Sequence, residues 1–163
     1  MSQFLRRVVL LQPTTITTSG TFQDIVVPAV FSSATISVNI NTVSGTSPAF
    51  NVFVQQQIPQ SASTDLTGNP PSGTAVYDDV LSFTTLTTNS TRLAKLGTQY
   101  IPANTANATT LTTADWAQSD AALTAGSLRL GPIGGDWRVK VAVGGTSPSG
   151  VLSVVAEFVP YGG

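Results

Sequence analysis

Apolar and polar residues alternate one by one along several segments of this chain. Ile36, Val38 and Ile40 are separated by Ser37 and Asn39. In a β-strand successive side chains point to opposite faces, so this alternation is typical of a strand with one buried face and one polar face. Comparable segments predict further strands at residues 22–27, 50–54, 80–86, 128–130, 137–143 and 152–158. The sequence therefore predicts an all-β fold.

A short motif occurs twice in the chain, one hundred positions apart. Val-Ser-Gly-Thr-Ser-Pro occupies residues 43–48, and Val-Gly-Gly-Thr-Ser-Pro occupies residues 143–148. Glycine permits a positive φ, proline fixes its own φ, and the serine before the proline is pushed towards an extended conformation. These preferences predict that each copy is the four- or five-residue connection of a hairpin. Two equivalent hairpins favour an antiparallel β-sandwich with a jelly-roll-like arrangement.

The strands that precede the two copies differ in phase. Counted back from the motif, the alternating sets that end at Ile40 and Val141 are offset by one residue. A β-bulge adds one residue to a strand, so a bulge near Asn41 and Thr42 would return both sets to the same face. We therefore expect a bulge before the first copy. We also expect Trp137, which opens the second alternating strand, to lie in the core.

The last predicted strand is apolar on both faces, because Val151, Val155 and Val159 alternate with the apolar residues of the other face. Such a strand either lies in the centre of its sheet or is covered by a partner. The start of the chain, residues 4–7, leaves a similar choice between an edge strand and an arm that reaches a partner.

Residues 97–126 differ from the rest of the chain. Their first half is rich in Thr, Ala and Asn, whereas residues 112–115 match a helix capping box and Gly126 fits the glycine that ends a helix. The length of the chain corresponds to one domain. We therefore predict a single β-sandwich domain over residues 1–163, with an N-terminal arm at residues 1–12 and an insert at residues 97–126 that contains one short helix.

Candidate partner-binding residues lie in this arm and insert. Long connections are usually functional or disordered. Trp116 and Leu123 are seven positions apart and would share one face of the predicted helix, and Ile101 lies earlier in the insert. Together with Phe4 and Leu5 of the arm, these residues are predicted to contact a partner. The alternative is that the helix folds back and caps an open end of its own sandwich.

Composition argues against several classes of function. Only 9% of the residues are charged and the basic ones are scattered, whereas nucleic-acid binding needs a concentrated positive surface. No stretch approaches the ~20 apolar residues of a membrane span. The chain has no Cys and no His, and its one adjacent acidic pair, Asp78 and Asp79, would point to opposite faces of a strand and is expected to be solvated. We therefore expect no enzymatic activity, metal or cofactor, and no nucleic-acid or membrane partner.

Two further segments accompany the repeated motif. One is the predicted strand at residues 80–86, and the other begins with Leu-Arg-Leu-Gly-Pro at Leu128 and runs through Trp137. In this combination the chain resembles a family of small structural proteins of tailed bacteriophages. The insert at residues 97–126 departs from the compact pattern of that family.

The resemblance implies a structural component of a virion, made in the host cytoplasm. The most economical assignment is a capsid decoration (cement) protein, which binds the outer shell of the major capsid protein and stabilises it. Proteins of this kind are small, all-β, free of cofactors and commonly homotrimeric. The alternatives are a head–tail or tail structural component and a carbohydrate-binding (receptor-binding) β-sandwich module.

Overall fold

A computed structural model describes residues 6–27, 31–57, 77–97, 112–114, 125–129 and 135–160. This part contains eight strands and no helix, which confirms the prediction of an all-β fold. The strands are β1 (Arg6–Ile16), β2 (Gly20–Val27), β3 (Phe31–Gln57), β4 (Tyr77–Ser82), β5 (Ser90–Gly97), β6 (Thr112–Ala114), β7 (Ser127–Arg129) and β8 (Gly135–Pro160). Within those ranges no helix is long and apolar enough to cross a membrane.

Two very long strands form the centre of the sheet. β3 has 27 residues and β8 has 26, whereas strands of globular proteins usually have about 3–10. The two strands pair antiparallel over almost their whole length, from Phe31 opposite Pro160 to Gln56 opposite Trp137. The pairing of β3 with β8 is therefore the organising contact of the fold.

Shorter strands flank each half of this central pair. In the first group, β1 pairs with the end of β8 and β5 pairs with the start of β3. In the second group, β2 pairs with the start of β8 and β4 pairs with the end of β3. β7 extends the second group beyond β4, and β6 lies parallel to β7. Each long strand thus contributes one half to each group.

Both long strands fold back between their halves. Trp137 lies near the start of β8 and Phe158 lies twenty-one positions later on the same strand, yet their ring centroids are 5.5 Å apart. A straight strand would separate the two residues by about 70 Å. β8 therefore reverses direction, and β3, which pairs with it on both sides of the bend, reverses with it.

The bend coincides with the repeated motif. Thr46 of the first copy lies opposite Thr146 of the second copy. The predicted hairpins are therefore wrong, because the chain passes through each copy as one continuous strand and the copies pair with each other. Each half of a long strand already has its hydrogen-bonding partner in the other long strand, so the two halves of one strand do not pair.

The backbone of the two copies has the same unusual conformation. Gly45 and Gly145 have φ values of 109° and 99°, and Ser47 and Ser147 have φ values of 50° and 48°. The expectation that each serine before the proline is extended is therefore wrong, since both serines are left-handed. The cross-strand pairing at the bend outweighs the local preference of the residue before proline.

The predicted bulge before the first copy is confirmed. Thr42 has a φ of 53°, and the register of β3 against β8 shifts between Asn41 and Ser44. The second copy has no non-glycine residue with positive φ at the corresponding place. Because of the extra residue, the side chains of Ile40 and Val141 are both buried.

A second, longer repeat relates the shorter strands. Residues 14–21 read Thr-Thr-Ile-Thr-Thr-Ser-Gly-Thr, and residues 84–91 read Thr-Thr-Leu-Thr-Thr-Asn-Ser-Thr, seventy positions later. The equivalence is structural, because Ile16 lies opposite Gly150 of β8 and Leu86 lies opposite Phe50 of β3. The neighbours of β8 and β3 correspond in the same way, so β1 is equivalent to β4 and β2 to β5.

The chain therefore consists of two equivalent units. The first unit contains β1, β2 and β3, and the second contains β4, β5 and β8. An approximate two-fold rotation through the bend places each unit on the other. The offset between equivalent residues rises from seventy before β3 to one hundred within it, so the second unit holds thirty more residues between its second and third strands. β6 and β7 lie in that additional stretch.

One core joins the two groups of strands. Trp137 is fully buried, as predicted, together with Phe50, Phe83 and Phe158. Phe31 stacks on Phe158 from the neighbouring strand, with ring centroids 4.6 Å apart. The last strand pairs with β1 on one side and β3 on the other, so of the two alternatives left open by its sequence the structure shows the central position in the sheet.

The helix predicted from the capping box does not begin where the sequence indicated. Thr112–Ala114 forms β6, whose residues pair with Ser127–Arg129 of β7. Threonine favours strands over helix interiors, and the edge of β7 offers backbone partners that a capping box does not anticipate. Gly126 has the expected positive φ of 78°, but it leads into β7 and its N–H donates to the Ser82 carbonyl at 2.9 Å. Residues 115–124 lie outside the described part.

Candidate functional site

The five predicted partner-binding residues, Phe4, Leu5, Ile101, Trp116 and Leu123, all lie outside the described residues. The neighbouring Arg6 and Arg7 belong to β1. Within the described part β1 pairs with one strand, β8, and otherwise only touches β2. For these two arginines the structure favours the edge strand over the arm. Two other features of the described part are candidates for function, namely the exposed bend and a buried polar cluster.

The bend presents residues 44–47 and 145–147 to solvent, and we refer to them as the bend surface. All of these residues are exposed. The segments that surround the bend, residues 12–23, 39–53, 80–91 and 141–153, contain no Asp, Glu, Lys or Arg. The bend surface is therefore a neutral surface of hydroxyl and backbone groups.

Each glycine of the bend packs against the backbone of the other motif copy. A Cβ atom on Gly45 would lie 2.7 Å from the Ser147 carbonyl oxygen, and a Cβ atom on Gly145 would lie 2.5 Å from the Ser47 carbonyl oxygen. Both glycines also have positive φ, which side chains rarely adopt. Glycine occurs at both places because the two paired strands lie so close together at the bend that no side chain fits between them.

Two loops support the bend from opposite sides through equivalent hydrogen bonds. The Val43 N–H donates to Asn89 Oδ1 at 2.8 Å, and the Val143 N–H donates to Ser19 Oγ at 2.8 Å. Ser19 and Asn89 occupy the same place in the two Thr-rich repeats. The bend surface and its supporting loops thus share the approximate two-fold symmetry of the fold.

A polar cluster lies on the other side of the second group, away from the core. Arg138 Nε donates to Gln55 Oε1 at 2.7 Å, and Gln55 Nε2 donates to Asp79 Oδ1 at 2.6 Å. The Arg138 guanidinium also covers the ring of Tyr77, with 3.8 Å from Cζ to the ring centroid. Asp79 and Gln55 are 3% and 5% exposed, and Asp78 is 6% exposed. The expectation that the acidic pair is solvated is therefore wrong for both residues.

The equivalent place in the first group has no charged or amide side chain. There Val9 lies opposite Val155, which lies opposite Ser37, in the same cross-strand order as Asp79, Gln55 and Arg138. The two units therefore share the bend but differ on their outer faces. A cluster that one unit lacks is a specialised structural feature, whereas the shared bend surface is common to both units.

Sequence reasoning found the repeated motif but assigned it the wrong geometry, and it missed the Thr-rich repeat at residues 14–21 and 84–91. The signal was available, because six of the eight positions are identical or exchange Ile for Leu, and the offset of seventy would have revealed two units. Among the described residues no group of three or more Asp or Glu side chains is placed to hold a metal ion.

Comparison of the chain with protein-family models, with curated proteins and with solved structures finds no significant match.

Proposed function

We propose that this chain is a structural protein of a tailed-bacteriophage virion, namely a capsid decoration protein that binds the shell of the major capsid protein and stabilises it. The observation that carries the proposal is the pairing of the two motif copies at the exposed bend. The resemblance to the phage proteins depends on these copies, and their matching φ values and reciprocal glycine contacts indicate that the repetition has a structural cause.

The proposal includes a jelly-roll-like sandwich as the complete fold and a homotrimer as the assembled form. The Trp137–Phe158 contact supports the sandwich, because it brings strands of the first and second groups face to face across one core. Position on the capsid exterior follows from the proposed binding to the outer shell.

The surface chemistry also supports attachment to a protein shell. A nearly neutral chain lacks the charge repulsion that keeps copies of a protein apart, so neutral polar contacts can form at close range. Such contacts do not depend on long-range charge attraction and should survive high salt. This pattern fits a protein held by many short-range contacts within an assembly.

The insert at residues 97–126 is proposed to add partner contacts. The first unit forms its three strands without an equivalent of the additional thirty residues, because only residues 28–30 separate β2 from β3. Replacing residues 100–124 by a short Gly-Ser bridge should therefore leave a folded protein that binds its partner less tightly. Loss of folding in this variant, seen by circular dichroism, would assign the insert to the core and contradict the proposal.

Binding to undecorated capsids of the phage that encodes the chain tests the proposed function. Cosedimentation should reach a fixed copy number per capsid and should persist in 1 M salt, where the screening length is about 3 Å. Binding to purified tails instead of capsids would assign the head–tail or tail alternative. The absence of binding to either particle would overturn the proposal.

A carbohydrate-binding module would need exposed aromatic rings, and a glycan array tests for it directly. Every aromatic side chain whose burial is described is buried or half-buried. The ring of Tyr77 is half-buried and is also covered on one face by Arg138. Retention of the protein on a glycan array without capsid binding would favour this module over the decoration protein.

A further inference from the structure

We propose that the bend surface binds two identical partner subunits at once, one on each unit, across a local two-fold axis of the partner. The inference deepens the proposed function and rests on it, because the two subunits would be neighbouring copies of the major capsid protein.

The two halves of the bend are related by an approximate two-fold rotation. Thr46 lies opposite Thr146, and the equivalent Val43 and Val143 N–H groups are each held by a side chain from an equivalent loop. The exposed surface therefore presents Gly-Thr-Ser twice, at residues 45–47 and 145–147, in orientations related by a half-turn. Two identical subunits related by a two-fold axis present their own groups in the same arrangement, so each can make the same contacts.

The backbone of the bend is strained at one serine in each motif copy. Ser47 and Ser147 adopt left-handed φ values, which cost a residue with a side chain about 1–2 kcal/mol and cost glycine little. The chain nevertheless has serine at both places, although it has glycine at the neighbouring strained positions 45 and 145. Strained residues of this kind cluster at functional sites.

The bend also exposes hydroxyl groups that can form hydrogen bonds. Ser47 and Ser147 are exposed, and their hydroxyl groups form no hydrogen bond to another described residue. The two hydroxyl groups are therefore available to form hydrogen bonds with a partner. Because no charged residue lies in the segments around the bend, the groups that it can recognise on a partner are neutral hydrogen-bonding groups.

Matched substitutions on the two units provide the test. Thr46→Lys and Thr146→Lys each add one positive charge in one half of the bend surface. The control, Glu157→Gln, changes the net charge by the same single unit at an exposed residue of β8 that lies outside the bend and the segments around it. The affinity of each purified variant for undecorated capsids is measured together with its free energy of unfolding. The two bend variants should each weaken binding by about tenfold, the two factors should agree within about threefold, and Glu157→Gln should leave binding unchanged.

The double variant Ser47→Gly/Ser147→Gly separates binding from folding. It removes both hydroxyl groups and relieves the backbone strain, so it should bind capsids more weakly while its free energy of unfolding is unchanged or higher. If the wild-type chain binds capsids but only one of the two lysine variants, or neither, loses affinity, the inference is overturned. The proposed function is unaffected by that result. Absence of capsid binding by the wild-type chain would overturn the inference and the proposed function together.

Discussion

The indole ring of Trp137 packs edge-on against the phenyl ring of Phe158, although both side chains belong to the same strand. This contact links the start of β8 to its end, and it therefore depends on the bend between them. The local geometry of seven exposed residues at the bend thus determines how the core closes many residues away. Substitutions in the ring contact and substitutions at the bend should therefore both lower the free energy of unfolding.

Replacement of either ring should be strongly destabilising. Trp137→Ala and Phe158→Ala each create a cavity in a fully buried site, so each should lower the free energy of unfolding by about 3–5 kcal/mol. Trp137→Phe should cost less, because Trp137 Nε1 has no hydrogen-bond partner within the described part. Urea unfolding of the single and double variants gives the coupling energy, and strict additivity would contradict direct packing of the two rings.

The glycines of the bend should not tolerate a side chain. Gly45→Ala and Gly145→Ala each combine a positive φ with a Cβ atom closer than 3.0 Å to a carbonyl oxygen, so each should cost at least about 2 kcal/mol. Gly144→Ala is the matched control, because its Cβ atom would lie 3.6 Å from Ala49 Cβ, an ordinary contact. A control variant as unstable as the other two would show that the bend tolerates no added atom at all, and the specific role of positive φ would be lost.

The pairing of the motif copies can be trapped covalently. Residues directly opposite each other in an antiparallel pair have Cα atoms about 4.5–5.5 Å apart, which lies within the range of disulfides. Because the chain has no Cys, the double variant Thr46→Cys/Thr146→Cys should oxidise to a single intramolecular disulfide. Closing a loop of about 100 residues should raise the free energy of unfolding by up to about 4–5 kcal/mol. Two free thiols after mild oxidation of the folded protein would contradict the pairing, and Thr46→Cys/Ser153→Cys serves as the mispaired control.

Much of the strand content follows from the sequence because alternation reports burial directly. The alternating sets around Ile40, Trp137 and Val154 are buried as predicted, and the one-residue phase difference correctly located the bulge at Thr42. These features depend on the periodicity of a single strand. No knowledge of its neighbours is required to infer them.

The bend was misassigned because its partner is distant in sequence. Glycine, serine and proline at residues 45–48 satisfy a hairpin turn as well as a bent strand, and the choice depends on the second copy one hundred positions later. The burial of Asp79 was missed for a related reason, since its hydrogen bond to Gln55 joins two strands and leaves no trace in the local pattern. The contact residues predicted in the arm and the insert lie outside the described part and remain predictions, namely Phe4, Leu5, Ile101, Trp116 and Leu123.

The polar cluster should contribute to stability through Gln55. Gln55→Ala removes one buried hydrogen bond with a carboxyl group and one partly buried hydrogen bond with a guanidinium, and should lower the free energy of unfolding by about 2–4 kcal/mol. Gln57→Ala, at a half-buried residue of the same strand, is the control and should cost less than about 1 kcal/mol. Equal losses in the two variants would show that the hydrogen bonds of Gln55 contribute nothing beyond ordinary strand packing.

Thermal rupture of capsids tests the central claim, that this chain clamps a virion shell. A ligand that binds the assembled shell and not its separated subunits stabilises the shell by mass action, by about 2.7 kcal/mol per site at a free concentration of one hundred times Kd. Undecorated capsids heated in a calorimeter with a saturating amount of the protein should therefore rupture at a higher temperature than capsids heated alone. Equal rupture temperatures with and without bound protein would contradict the account.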